Sequence, residues 1–216
     1  MSSTIAVVDY GMGNLRSVSK ALEHVTTDNQ RVIISSDAQE IANAERVVFP
    51  GQGAARACMQ HLKELELEEV VLQAASEKPF LGICMGMQVL MAHSEENQGV
   101  NCMNLFAGEV RAFADEAIQV QMRELKIPHM GWNRVSQKQS HPLWQDIQDN
   151  NRFYFVHSYY VDPEDKTLIA GTTEFGIEFV SVIARENVFA AQFHPEKSAR
   201  DGLQLLKNFC RWNGSA

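Results

Sequence analysis

Short apolar runs alternate with amphipathic stretches along the first half of the chain. Thr4 to Asp9 is apolar and β-branched, the composition of a buried strand. Past Tyr10-Gly11-Met12-Gly13-Asn14, the apolar positions Leu15, Val18, Leu22 and Val25 recur at helical spacing, with Asn14 placed to cap that helix. Val32-Ile33-Ile34 is a second strand, Asp37 caps a short helix to Ala44, and Arg46-Val47-Val48-Phe49 is a third strand. Pro50-Gly51-Gln52-Gly53 then opens a long helical region to about Ser76. The next apolar run reaches Gly82-Ile83-Cys84-Met85-Gly86, and Met85 to His93 reads as the following helix. Strands and helices in alternation predict an α/β fold, a mostly parallel doubly wound sheet flanked by helices.

After Glu95 the pattern changes to an antiparallel, β-rich second half. Gly108 to Trp144 reads as short antiparallel strands, with Met130 and Trp132 in the core. Arg152 to Val161 reads as one strand with Phe153, Phe155, His157 and Tyr159 on one side. Leu168 to Thr173, Glu178 to Arg185 and Val188 to Phe193 are further strands, and Asn187 marks a turn between the last two. Ala199 to Trp212 is an amphipathic helix facing the core with Leu203, Leu206, Phe209 and Cys210. Neither a repeat nor a linker divides the chain, so residues 1–216 are expected to form one domain.

Composition narrows the function classes. A net charge of −8, with Lys and Arg scattered, argues against nucleic-acid binding. No apolar run approaches the roughly 20 residues that span a bilayer, and no basic leader opens the chain, so a cytoplasmic location is expected. Cys58, Cys84, Cys102 and Cys210 show no metal-like spacing with the histidines; reduced thiols and no metal or cofactor are expected.

Cys84 stands out among the four. A sharp strand-to-helix turn flanked by Gly82 and Gly86 is the cysteine form of a nucleophile elbow. A helix starting just after Cys84 would aim N–H groups and a positive dipole end at the sulfur. A thiol nucleophile needs a base and an orienting group. His194-Pro195-Glu196 supplies both, because residues two apart in an extended segment point the same way. His157 is a rival base but lacks a carboxylate two residues away, and a hydrogen-bonded histidine at a strand surface suffices for it. Gly11-x-Gly13 lacks the third glycine of a dinucleotide fingerprint, where Arg16 stands, and reads as a tight βα turn.

Gly82-Ile83-Cys84-Met85-Gly86-Met87-Gln88, Pro50-Gly51-Gln52-Gly53 and His194-Pro195-Glu196 together resemble the class I (triad) glutamine amidotransferases. Asp9 to Asn14, Pro128 to Asn133 and Tyr154 to Tyr159 resemble the glutaminase subunits of imidazole glycerol phosphate synthases, in histidine biosynthesis. The resemblance implies glutamine hydrolysis by a Cys84-His194-Glu196 triad. Oxyanion donors would come from the backbone N–H groups of Met85 and Gln52, and Gly51 and Gln88 would contact glutamine. The family usually has a small apolar residue where Gln52 stands, so its loop preference departs from the pattern. The implied partner is a (β/α)₈-barrel cyclase subunit, facing Asn14, Trp132 and Lys197. The chain has no P-loop or phosphate site of its own to accept the ammonia. Two other classes stay open: a cysteine peptidase on the same fold, which need not contain His-Pro-Glu, and a non-catalytic subunit, against which an intact triad argues.

Overall fold

The computed structural model describes residues 3–113 and 126–215. Its parallel half comprises β1 (Ser3–Val8), α1 (Leu15–Val25), β2 (Gln30–Ser35), α2 (Ala38–Asn43), β3 (Arg46–Gly51), α3 (Ala55–Glu64), α4 (Glu68–Glu77) and β4 (Phe80–Cys84). A one-turn helix α5 (Met85–Gln88) follows, then β5 (Met91–Ser94), β6 (Val100–Asn101) and β7 (Phe106–Ala112). Later come β8 (His129–Arg134), β9 (Ser136–Gln137), β10 (Arg152–His157), β11 (Tyr159–Pro163), β12 (Ile169–Glu174), β13 (Glu178–Arg185), β14 (Val188–Ala191) and α6 (Ala199–Arg211).

The main sheet runs β2-β1-β3-β4-β14-β13-β11-β7-β5-β6, with β12 beside β13 and β9 beside β12. From β2 to β14 the pairing is parallel. Beyond β14 it is antiparallel except between β5 and β7. The central strands β1, β3, β4, β13 and β14 alternate their side chains between two apolar layers. Ile5 and Val7 of β1 join one cluster with α1 and α6, and Ala6 and Val8 join the other with α2, α3 and α4. Strands β8 and β10 form a separate antiparallel pair. No helix among the described residues is long and apolar enough to cross a membrane.

Several expectations are corrected. The helical region after Gly53 is two helices, because the chain reverses at Leu65 to Leu67. Leu67 N–H donates to Leu62 C=O and Glu66 N–H to Lys63 C=O, the paired bonds of a Schellman cap. Glu66 holds the left-handed position (φ 56°) where glycine is usual, so no sequence signal marked the break. The segment after Cys84 is one helical turn, not a helix to His93; Met91–Ser94 leaves it to pair with β7. Arg152 to Val161 is two strands in two sheets, because the chain crosses from β10 to β11 at Ser158. Met130 and Trp132 are 62% and 49% exposed, since their face of β8 is turned to solvent. Asn14 makes no side-chain cap, whereas Asp37 accepts from the N–H groups of Gln39 and Glu40 as expected. On α6, Leu205 is buried and Leu203 only half-buried. Residues 114–125 of the stretch expected to form short strands, and the chain start Met1-Ser2, lie outside the described residues.

Candidate active site

Strands β3 and β4 end side by side, with Gly51 opposite Cys84, so the Pro50 loop and the cysteine meet at the carboxyl edge of the sheet. Cys84 adopts φ 56° and ψ −111°, a left-handed conformation costing about 1–3 kcal/mol that the surrounding packing must hold. The packing is tight enough to do so. A Cβ on Gly86 would overlap the carbonyl oxygen of Phe49, and one on Gly51 would overlap the Tyr10 hydroxyl. The elbow is therefore present, but the dipole argument weakens. Four helical residues align too few peptides for the field a longer helix would supply.

His194 follows β14, the parallel neighbour of β4. Its Nδ1 lies 2.9 Å from Glu196 Oε1, and the two side chains are 3% and 0% exposed. The bond forms although Pro195–Lys197 is a 3₁₀ turn rather than the extended segment expected. Burial alone would lower the His194 pKa, but hydrogen bonding and charge from Cys84 and Glu196 outweigh it and raise it to about 10. His194 Nε2 is buried and makes no bond of good geometry, so the nitrogen beside the sulfur is left for chemistry. Such bonds are commonly loose before substrate arrives.

His157 is excluded as a base by its own bonds. It is buried, not at a strand surface, with Nδ1 2.7 Å from the Tyr159 carbonyl oxygen and Nε2 2.8 Å from His129 Nδ1. A carbonyl only accepts, so His157 Nδ1 carries the proton and its Nε2 accepts from His129. Burial lowers the pKa of His157 to about 3 and of His129 to about 4, which keeps both rings neutral. Burial likewise raises Cys58 to about 11 and Cys102 and Cys210 to about 12, leaving those thiols unreactive.

A cavity of about 480 Å³ opens over Cys84, lined also by Gln52, Gly53, Met85, Gln88, Glu96, Pro128, residues 156–159, His194 and Lys197. Gly51 packs beneath its floor against Met85. Lys197 reaches over the Tyr154 ring, 6.0 Å from its centre, and Trp132 meets the same ring edge-on. These two expected interface residues thus share one neighbour, although of the two only Lys197 lines the cavity. Asn14 is not in the cavity, but its turn touches the floor where Gly13 lies against Gly51.

Four contributors escaped the sequence reading. Glu96 caps α3, its Oε2 accepting from Ala55 N–H at 2.6 Å, while lining the cavity. Tyr10 hydroxyl donates to Cys58 Sγ (3.8 Å), and the Cys58 thiol donates to the Gln52 carbonyl (3.6 Å), so both steady the loop beside Cys84. Gln192 Nε2 lies 3.6 Å from Cys84 Sγ. The period of two that selected Glu196 from His194 also leads back to Gln192, which was the available signal.

This constellation can carry out acyl transfer through a thioester. The chain matches the family model for class I glutamine amidotransferase over residues 6–212. It is 56% identical over 210 residues to the imidazole glycerol phosphate synthase subunit HisH of Hydrogenovibrio crunogenus, with 97% of each chain covered. To the protein of the same name from Dechloromonas aromatica it is 58% identical, covering 97% of this chain and 96% of that one. A chain in the structure of PurLQS from Thermotoga maritima has the same fold at 16% identity (TM-score 0.66), with 98% of this chain and 99% of that one covered. The chain belongs to the class I glutamine amidotransferases and, among them, to the HisH subunits of imidazole glycerol phosphate synthase.

Proposed function

We propose that this chain hydrolyses glutamine to glutamate and ammonia at Cys84 and delivers the ammonia to a (β/α)₈-barrel cyclase subunit making imidazole glycerol phosphate and AICAR. The observation that carries the reading is the buried His194–Glu196 pair beside a cysteine on a strained elbow. Cys84 thiolate attacks the γ-carboxamide carbon, and the resulting oxyanion takes hydrogen bonds from the N–H groups of Met85 and Gln52. As the C–N bond breaks, His194 imidazolium protonates the departing nitrogen and ammonia leaves. His194, now neutral, takes a proton from water, whose oxygen attacks the γ-glutamyl thioester. The thiolate departs and glutamate is released. Glu196 orients the ring throughout.

Glutamine is a zwitterion at neutral pH. Glu96 is the carboxylate lining the cavity, and it suits the α-ammonium group. Gln88 and Gly51 shape the wall and floor around the side-chain amide. Asparagine, one methylene shorter, would set its amide away from both sulfur and oxyanion donors. Asn14, Trp132 and Lys197 are assigned to the partner-facing surface around the mouth. Residues 1–216 act as one glutaminase domain, a reading supported by two apolar layers that share one sheet. Four free, buried cysteines fit a reducing cytoplasmic location.

The deciding experiment measures glutamate and ammonia formed from glutamine with and without the barrel subunit and its nucleotide ligand. Release that rises on adding both is the expected result. Titration that leaves hydrolysis unchanged would remove the two-subunit reading, and equal turnover of asparagine would indicate a general amidase.

A further inference from the structure

Gln192 is fully buried (0% exposed) on the strand connection that leads to His194. Its amide joins a row of three hydrogen bonds that ends on the nucleophile. Gln88 Nε2 donates to the main-chain oxygen of Tyr159 (3.2 Å) and to Gln192 Oε1 (2.9 Å). Gln192 Nε2 in turn donates to Cys84 Sγ (3.6 Å).

The direction of the row is fixed by one atom. A main-chain carbonyl has no proton to give, so Gln88 must turn its NH₂ group toward Tyr159. The second hydrogen of that group then meets Gln192, which must answer with its oxygen. The NH₂ end of Gln192 is left facing the sulfur. A flip of either amide would set two oxygens or two NH₂ groups against each other in a buried space, which is costly.

We propose that Gln192 is a further catalytic residue: a neutral amide donor, oriented by Gln88, that holds Cys84 Sγ in place and hydrogen-bonds its thiolate form. This rests on the reading of Cys84 as the nucleophile. A hydrogen bond to the charged form of a group favours that form. An amide also neither gains nor loses a proton near neutral pH, so proton transfer remains with His194. The bond strengthens when sulfur carries charge and weakens in the thioester, whose sulfur is a poor acceptor. It therefore assists the step in which the thiolate is expelled by water. Gln88 acquires a second task, since the amide at the cavity wall also sets the polarity of the group behind the sulfur.

The test follows alkylation of Cys84 by iodoacetamide from pH 5 to 9, with the site located by peptide mapping and folding checked by thermal melting. Variants are Gln192→Met, similar in length but unable to donate, Gln192→Glu, of the same shape but charged, and Gln88→Met. Gln192→Met is expected to displace the rate curve to higher pH, slowing reaction on its acid side by about tenfold. Gln192→Glu should displace it further, because a carboxylate repels thiolate. Gln88→Met should produce a smaller displacement in the same direction, and it decides the matter if neither Gln192 variant folds. A folded variant set with the parent's curve overturns the role of Gln192 alone. Alkylation of the parent that spares Cys84 overturns the nucleophile reading and this inference with it.

Discussion

In the proposed mechanism Cys84 and His194 each carry a step that no neighbour can take over. Cys84→Ala is expected to reduce glutamine hydrolysis to background while leaving the melting temperature close to the parent's. His194→Ala should be nearly as severe, and Glu196→Ala milder, because the carboxylate orients without reacting. Appreciable turnover by Cys84→Ala would refute the assignment. A glutamine-like electrophile should label Cys84 in preference to Cys58, Cys102 and Cys210, whose burial holds them as thiols. The grouping of Cys84, His194 and Glu196 was legible in the sequence because thiol, imidazole and carboxylate are scarce and stood in motifs with glycine or proline. Gln192 was not, because the period of two that leads back to it carries little weight for a glutamine until its neighbours are known. Glu96 was hidden for the same reason, its distinguishing bond being to an N–H 41 residues away.

Elements were legible wherever period and punctuation agreed, as in the parallel strands and the Asp37 cap. They failed where backbone geometry departed from habit, at the Glu66 cap and at the single turn after Cys84. That turn exists because Gly86 lies against β3. Gly86→Ala should therefore displace the elbow, costing about 1–3 kcal/mol in denaturant unfolding and most of the activity. Unfolding at the parent's midpoint with full turnover would contradict that account. The β8–β10 pair joins the main sheet through the bonds from Asn133 to His129 to His157 to the Tyr159 carbonyl. Both histidines have folded pKa values, about 4 and about 3, below the ordinary 6.5 of an unfolded chain. Between 6.5 and those values the unfolded chain binds more protons, so stability is full above 6.5 and falls as pH drops through that window. His141, also lowered by burial to about 4, acts in the same direction. Melting temperatures from pH 7 to 4.5 should decline, and less steeply in His157→Gln. An identical slope in that variant would place the acid sensitivity elsewhere.

At the scale of the molecule, the exposed Lys197 at the cavity and the exposed Trp132 meet on the Tyr154 ring. Lys197 directly follows Glu196 and reaches over Tyr154, so a partner carboxylate pairing with it would pull on the backbone of the orienting residue. Lys197→Ala should leave the isolated chain folded but reduce the rise in glutamine hydrolysis on adding the barrel subunit severalfold. Equal stimulation of variant and parent would show Lys197 to be an ordinary solvated charge. The α/β class was readable from alternation, but the strand order was not, because the pairings of the second half join residues distant in sequence. The most distant matters most. Among the described strands, β14 alone connects the parallel side of the sheet, ending in β4, to the antiparallel side, beginning with β13. During synthesis, a nascent chain that has not yet emerged past Val188 therefore has two half-sheets and no seam between them. Its cysteine elbow has no histidine, and the floor behind the sulfur has no Gln192. In the proposed mechanism the reactive thiol is thus assembled only after β14 and the residues that follow it have emerged, so a shorter nascent chain lacks the groups that would spend glutamine.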